Sequence, residues 1–198
     1  GEWVIRSALQ QLHSWHDTPM EMSISVNISP MQLQHPDFVF RLEKILEEFP
    51  AYCINNLEFE ILESSALKDI SLASAVIGQC NELGINFSID DFGTGYSSLS
   101  YLKRLPAEYL KIDQSFVRDM LLDKEDLAII KGIIELSKAF DLKVIAEGVE
   151  TPAHGEKLMS MGCFLAQGYG IAKPMPASDF PRWLDAWQAN PKLIDGSI

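Results

Sequence analysis

Ten residues of this chain have side chains that could do chemistry together, and each stands at or just past the end of a predicted strand. They are Asn27, Glu60, Glu63, Asp90, Asp91, Lys111, Asp113, Glu147, Glu150 and Gln167. Asp90 and Asp91 close an alternating run (Ile85, Phe87, Ile89) and precede a turn carrying Gly93 and Gly95. Taken alone, that stretch reads as a capped βα turn with solvated acids. In a parallel barrel, however, the C-terminal strand ends face one mouth, where active sites of such folds sit. Six strands would then each deliver a carboxylate, amide or amine to one cavity. So many carboxylates repel one another unless divalent cations neutralise them. Oxygen donors without His or Cys suit Mg²⁺ or Mn²⁺ better than zinc. The adjacent aspartates suggest two metals with one Asp bridging, the device used for in-line displacement at phosphorus. Lys111 is the cation of the set. It could orient an attacking water, stabilise charge on a phosphoryl oxygen, or form an ion pair with one of the carboxylates. His13, His16, His35 and His154 fall in predicted helices or loops and read as surface residues rather than ligands.

The elements that would position these groups alternate regularly. Residues 3–15 form an amphipathic helical pattern closed by Asp17-Thr18-Pro19. Met22 to Ile28 alternates as a strand, and a helix is expected from His35-Pro36 to about Phe49. Strand Leu57 to Leu62 leads into a long helix from Ser64-Ser65 to Leu83, stopped by Gly84. After the strand carrying the two aspartates come a helix over 97–103, a strand over 109–112 and a helix over 124–140. A strand over 143–146, a helix from Thr151-Pro152 to Met161, a strand over 163–166 and a terminal helix containing Phe180, Trp183 and Trp187 complete the chain. The order α(βα) repeated six times predicts right-handed crossovers and a parallel sheet. Gly93-Thr94-Gly95-Tyr96-Ser97-Ser98 lacks the third glycine of a dinucleotide fingerprint and follows the third strand, so an open nucleotide-binding sheet is excluded. Asp91-Phe92-Gly93 has no kinase catalytic loop or β3 lysine segment to accompany it.

At 198 residues and 47% hydrophobic content, with mean hydropathy near zero, the chain suits one soluble domain over residues 1–198. A net charge of −12 argues against DNA or an anionic membrane surface as partner, although not against a small phosphate ligand held through cations. Cys53, Cys80 and Cys163 have no metal-ligand spacing and read as free thiols in a cytoplasmic setting. No apolar run is long enough to span a bilayer.

The series SVNIS (25–29), LEFEILES (57–64), DDFGTGYSSLSYL (90–102), LKID (110–113), IAEGVET (145–151) and AQGYGIAKPMP (166–176) resembles the EAL domain, named for a Glu-Ala-Leu motif. That resemblance implies a modified (β/α)8 TIM-type barrel, of which about six βα units are present here. It implies a phosphodiesterase converting cyclic di-GMP to linear pGpG with Mg²⁺ or Mn²⁺. By position, Asn27, Glu60 and Asp90 resemble ligands of a first metal, and Asp91 and Glu147 those of a second. Lys111 resembles the holder of the nucleophilic water and Gln167 a support for metal-bound water. Glu63 resembles the anchor of the loop after Asp91, a loop through which family members couple metal binding and dimer contacts to activity, and Glu150 a support from behind. The family pattern also includes a Glu-Ala-Leu strand, the strand before it and a nearby arginine, all upstream of the Gly1-Glu2-Trp3 helix. Their absence implies an N-terminally truncated domain, with a degenerate cyclic di-GMP receptor or protein-interaction module as the alternative. Leu62 stands where the family usually has Thr. The expected setting is a homodimer, fused to sensor or GGDEF-type domains as a C-terminal module of a larger signalling protein. That protein would be cytoplasmic, or the cytoplasmic part of a membrane-anchored parent.

Overall fold

The computed structural model describes residues 1–16, 22–94 and 102–188. Its centre is a six-stranded, wholly parallel sheet in sequential order: β1 (Ile24–Asn27), β2 (Leu57–Leu62), β3 (Asn86–Phe92), β4 (Tyr109–Ile112), β5 (Lys143–Ala146) and β6 (Leu165–Ala166). Sequential parallel order with helical crossovers is the geometry of a barrel wall. The predicted α/β architecture is therefore the one observed, as a curled half-barrel.

The helices are α1 (Glu2–Trp15), α2 (Pro30–Leu33), α3 (Phe38–Leu46), α4 (Ala51–Asn55), α5 (Glu63–Lys68), α6 (Ile70–Glu82), α7 (Gln114–Asp119), α8 (Lys124–Ala139), α9 (Pro152–Ser160) and α10 (Phe180–Gln188). Several depart from the sequence expectations for identifiable reasons. The helix expected from Ser64 to Leu83 is broken at Asp69, whose extended backbone lets its carboxylate cap the amide of Leu72 at 3.0 Å. The helix expected to end near Phe49 stops at Leu46, and Pro50 opens the separate α4. Besides α4, two short helices were not expected. α2 has Ser29 and Gln32 as a reciprocal capping box with Pro30 at its first position. In α7, the Asp113 carboxylate caps the amide of Ser115 at 2.8 Å. The helix expected over 97–103 lies, apart from Leu102 and Lys103, outside the described residues.

Alternation in the strands divides the molecule into two faces. In β2, Leu57, Phe59 and Ile61 are essentially inaccessible and join the hydrophobic core under the helices, where Phe59 meets Phe38 of α3 and Phe87 of β3. Glu58 and Glu60 alternate with them and point to the other, concave face. Likewise Leu110 and Ile112 of β4 are fully buried among core residues, leaving Tyr109 and Lys111 for the concave side. Each buried phenyl or branched aliphatic contributes roughly 1.5–3 kcal/mol of transfer free energy. The core thus lies between sheet and helices, and the concave face is left for polar groups.

Cys53, Cys80 and Cys163 are free and buried. Burial alone pushes the Cys80 thiol up to about 12; for Cys163 it outweighs two backbone hydrogen bonds and leaves the thiol at about 11. Thiolate is the reactive form. In the native protein all three should react with Ellman's reagent more than roughly a hundredfold slower than in guanidinium-unfolded protein. Stopped-flow absorbance under both conditions checks this, and one fast native thiol contradicts it.

No helix among the described residues is long and apolar enough to cross a membrane.

Candidate active site

The polar groups of the concave face gather at the C-terminal ends of β2 to β6. Lys111, only 2% exposed, stands at their centre. Its Nζ lies 2.7 Å from Glu147 Oε1, 2.8 Å from Glu60 Oε2 and 3.0 Å from Asp90 Oδ1. An ammonium has three donors, and here three carboxylates from three different strand ends surround it. Burial pulls the lysine's pKa down, but the hydrogen bonds and charges of Glu147 and Glu60 outweigh it and hold the ammonium above its ordinary range. Of the roles open to Lys111 from sequence, ion pairing is present in this structure, with three partners rather than one.

Asp90 and Asp91 share one destination because β3 is irregular. Consecutive residues of a regular strand point to opposite faces. Between Ile89 and Phe92, however, three residue steps on β3 match two on β4, from Leu110 to Ile112. One extra residue is therefore accommodated as a bulge. Asp91 takes up the deviation with φ = 55°, a left-handed conformation that Asp tolerates better than most residues. As a result Asp90, Asp91 and Glu147 each offer an oxygen within 4.8 Å of the others. Burial, then the charges of Asp90 and Asp113, push the Asp91 carboxyl above its usual range, against the pull of Lys111. Burial likewise raises Glu147; Lys111 draws it back down, while Asp90 and Glu60 add to the rise. Lys111 thus leaves the cluster with surplus negative charge, and the donors nearest one another are all oxygens. This set fits a hard divalent cation.

The remaining predicted residues form a collar. Asn27 ends β1, exposed and in register with Glu60. Gln167, also exposed, follows β6 and donates from Nε2 to Glu147 Oε1 at 2.7 Å. Glu63 opens α5, is 2% exposed and accepts the amide of Gly93 at 3.1 Å, tying the turn after Asp91 to α5. Glu150 lies outside this collar, half exposed, 3.5 Å from Arg118 Nε; an exposed pair of this kind contributes little to stability. Leu62 stands across from Asp90 on the neighbouring strand. A cavity of about 660 Å³ opens beside Glu147 and Gln167, with Arg118, Tyr169, Lys173 and Trp183 in its wall.

Asp113 and His154 complete the surroundings of the site. Asp113, two residues after Lys111 and so back on the same strand face, places its negative charge near Asp91 and helps to push that carboxyl up. His154, expected at the surface, is 7% exposed and hydrogen bonded through both ring nitrogens. It sits in the first turn of α9 facing α7, an element that the sequence did not announce.

The EAL domain family model matches residues 1–174. The chain belongs to the EAL domain family. Among its relatives are MucR of Pseudomonas aeruginosa, a bifunctional diguanylate cyclase/cyclic di-GMP phosphodiesterase, and PdeR of Escherichia coli, a cyclic di-GMP phosphodiesterase. MucR is 41% identical over 89% of this chain and 26% of its own length, and PdeR 39% over 92% and 28%. The chain therefore spans about a quarter of the length of these curated relatives. Among solved structures, the PaMucR phosphodiesterase in complex with c-di-GMP superposes with a TM-score of 0.85 at 40% identity, covering 91% of this chain and 73% of that one. The EAL domain of Mycobacterium smegmatis DcpA gives 0.85 at 36% identity, covering 94% and 84%.

Proposed function

We propose that this EAL domain is a metal-dependent phosphodiesterase that hydrolyses cyclic di-GMP to linear pGpG. The observation that carries the reading is the convergence of Asp90, Asp91 and Glu147 around the buried Lys111 at one mouth of the sheet, in a chain whose relatives are named for this activity. Asp90, Asp91 and Glu147 would hold Mg²⁺ or Mn²⁺, with Asn27 and Glu60 at the side of β1 and β2. When bound, such a pair of ions polarises a phosphoryl oxygen and makes water a stronger nucleophile near neutral pH.

This chain's own residues then have distinct tasks. Lys111 stays protonated and offers hydrogen bonds at the centre of the site, where an attacking water or a phosphoryl oxygen would need them. Gln167 orients Glu147, Glu63 secures the turn after Asp91, and Glu150 faces Arg118 in the cavity wall. The cavity beside Glu147 has the size of a nucleotide subsite. We read the domain as one module of a longer cytoplasmic signalling protein that dimerises and carries sensor or GGDEF-type domains. The length of the relatives supports the longer parent.

The test is chromatographic detection of pGpG from cyclic di-GMP with Mg²⁺ or Mn²⁺, in the full-length protein. Turnover is expected, and EDTA should reduce it to background. Absence of turnover with both metals refutes the reading. One feature favours a second reading, that of a receptor: Lys111 already pairs three carboxylates, so the cluster holds together without a cation. Calorimetric binding of cyclic di-GMP without hydrolysis would decide for it.

A further inference from the structure

We infer that His154 is a positioning residue that sets the spacing between Lys111 and Glu147. No step of the proposed reaction uses it, yet it is buried and both ring nitrogens have partners. Nε2 lies 3.1 Å from the carbonyl oxygen of Arg118, and Nδ1 lies 2.7 Å from Thr151 Oγ1. A carbonyl can only accept, so Nε2 carries a proton; in the neutral ring Nδ1 then accepts from the Thr151 hydroxyl. His154 therefore links two separate segments. The Arg118 carbonyl belongs to the last turn of α7, which begins three residues after Lys111. Thr151 occupies the N-cap position of α9, without a side-chain capping bond, and ends the five-residue connector that begins with Glu147.

The same two segments meet at their other ends. A Cβ on Gly148 would lie 2.7 Å from Gln114 Cβ and 3.2 Å from its Cα, so the connector runs directly against the start of α7. On its far side the connector is hydrogen bonded to the chain after β6, through Val149 N to Gln167 O at 3.1 Å and Gly170 N to Val149 O at 2.8 Å. It is thus held between α7 and the segment bearing Gln167. Gly148 supplies contact at one end of α7 and His154 supplies the directional bond at the other. Freed at the His154 end, the connector can pivot about Gly148. The Glu147 amide stays bonded to the Ile112 carbonyl of β4 at 3.2 Å, so the movement falls on Val149, on the Gln167 segment bonded to it and, through the Gln167–Glu147 hydrogen bond, on the Glu147 carboxylate that meets Lys111.

Three substitutions separate this role from a local one. A Gln side chain can place an N–H where His Nε2 stands, whereas Asn reaches only the Nδ1 position. His154→Gln therefore keeps the bond to α7, His154→Asn keeps only the bond to Thr151, and His154→Leu keeps neither. With the full-length protein and cyclic di-GMP, His154→Asn and His154→Leu should lower kcat roughly ten- to a hundredfold with KM changed less than about twofold, and His154→Gln should stay near wild type. In ¹⁵N-edited spectra the Gln167 side-chain amide and the Val149 and Gly170 backbone amides should shift in the Asn and Leu variants and return in the Gln variant. Equal behaviour of Asn and Gln would reduce His154 to a local cap and overturn the inference. Unmoved amide signals in the Leu variant would do the same. If His154→Leu fails to fold, the Asn and Gln pair still decides. The kinetic readout rests on the phosphodiesterase reading. If wild-type protein does not turn over, that reading falls by itself, and the amide shifts alone judge the role of His154.

Discussion

Replacing Lys111 with Met should slow the proposed hydrolysis by about 10²–10³ and make the stability of the domain depend on divalent cations. Lys111 is the ammonium at the centre of Glu60, Asp90 and Glu147, and it is almost wholly buried. Loss of one preorganised donor to developing charge lowers kcat by about 10²–10³. Removing one partner from a buried ionic group costs about 3–5 kcal/mol, because the remaining charges keep their desolvation cost without the compensating attraction. Urea titration in EDTA should show a midpoint well below that of wild type. Adding Mn²⁺ should recover more stability in Lys111→Met than in wild type, since the cation takes over the neutralising role. The pH dependence has a definite sign. Burial already raises Asp91 and Glu147, and loss of Lys111 removes the group that opposes the rise. A carboxyl whose folded pKa exceeds its unfolded value stabilises the fold below the unfolded pKa, and loses that contribution as pH rises through the folded one. In EDTA, the variant should therefore gain stability relative to wild type as the solution is acidified from neutral pH. Equal midpoints for the two proteins in EDTA at neutral pH would show that the ion pairs do not hold the site.

Gly168→Ala should be nearly as damaging, without touching a charged group. A Cβ at position 168 would lie 2.3 Å from both the amide nitrogen and the carbonyl oxygen of Val149. Backbone, unlike a flexible side-chain end, cannot swing away. Relief requires moving the connector that bears Glu147 or the segment that bears Gln167, and the Val149–Gln167 and Gly170–Val149 hydrogen bonds lie between them. Overpacking of this severity costs about 3 kcal/mol. Displacement of Glu147 from Lys111 should lower kcat about a hundredfold even in the folded fraction. Chemical denaturation and steady-state kinetics on the same preparation check the two effects; wild-type kcat in folded Gly168→Ala would show that the connector tolerates the shift.

The sheet was legible because most strands end where alternation stops and a polar residue begins, as at Ile112-Asp113 and Ala146-Glu147. The convergence of those ends followed from parallel order alone. The three contacts of Lys111 were not legible, since they depend on the relative register of β2, β3, β4 and β5, which no single segment encodes. The bulge at Asp91 was hidden for a related reason: two adjacent acids look the same in sequence whether the strand is regular or not. His154 was misjudged. It acts through α7, a short helix whose apolar residues Phe116 and Val117 are too few to give a clear period, so it had no visible neighbour. The break at Asp69 was missed because helical spacing continues on both sides of it.

The left-handed backbone at Asp91 bears on how such a domain would drift once selection for turnover is relaxed. Asn and Gly accept that conformation at least as readily as Asp does. Either replacement leaves the β3 bulge undisturbed, removes a carboxylate whose charged form is disfavoured by burial, and lessens repulsion with Asp90 and Asp113. The fold therefore offers no resistance to losing this acid. Position 91 is a place where inheritance of the architecture and inheritance of the chemistry can part, and only function preserves the aspartate there.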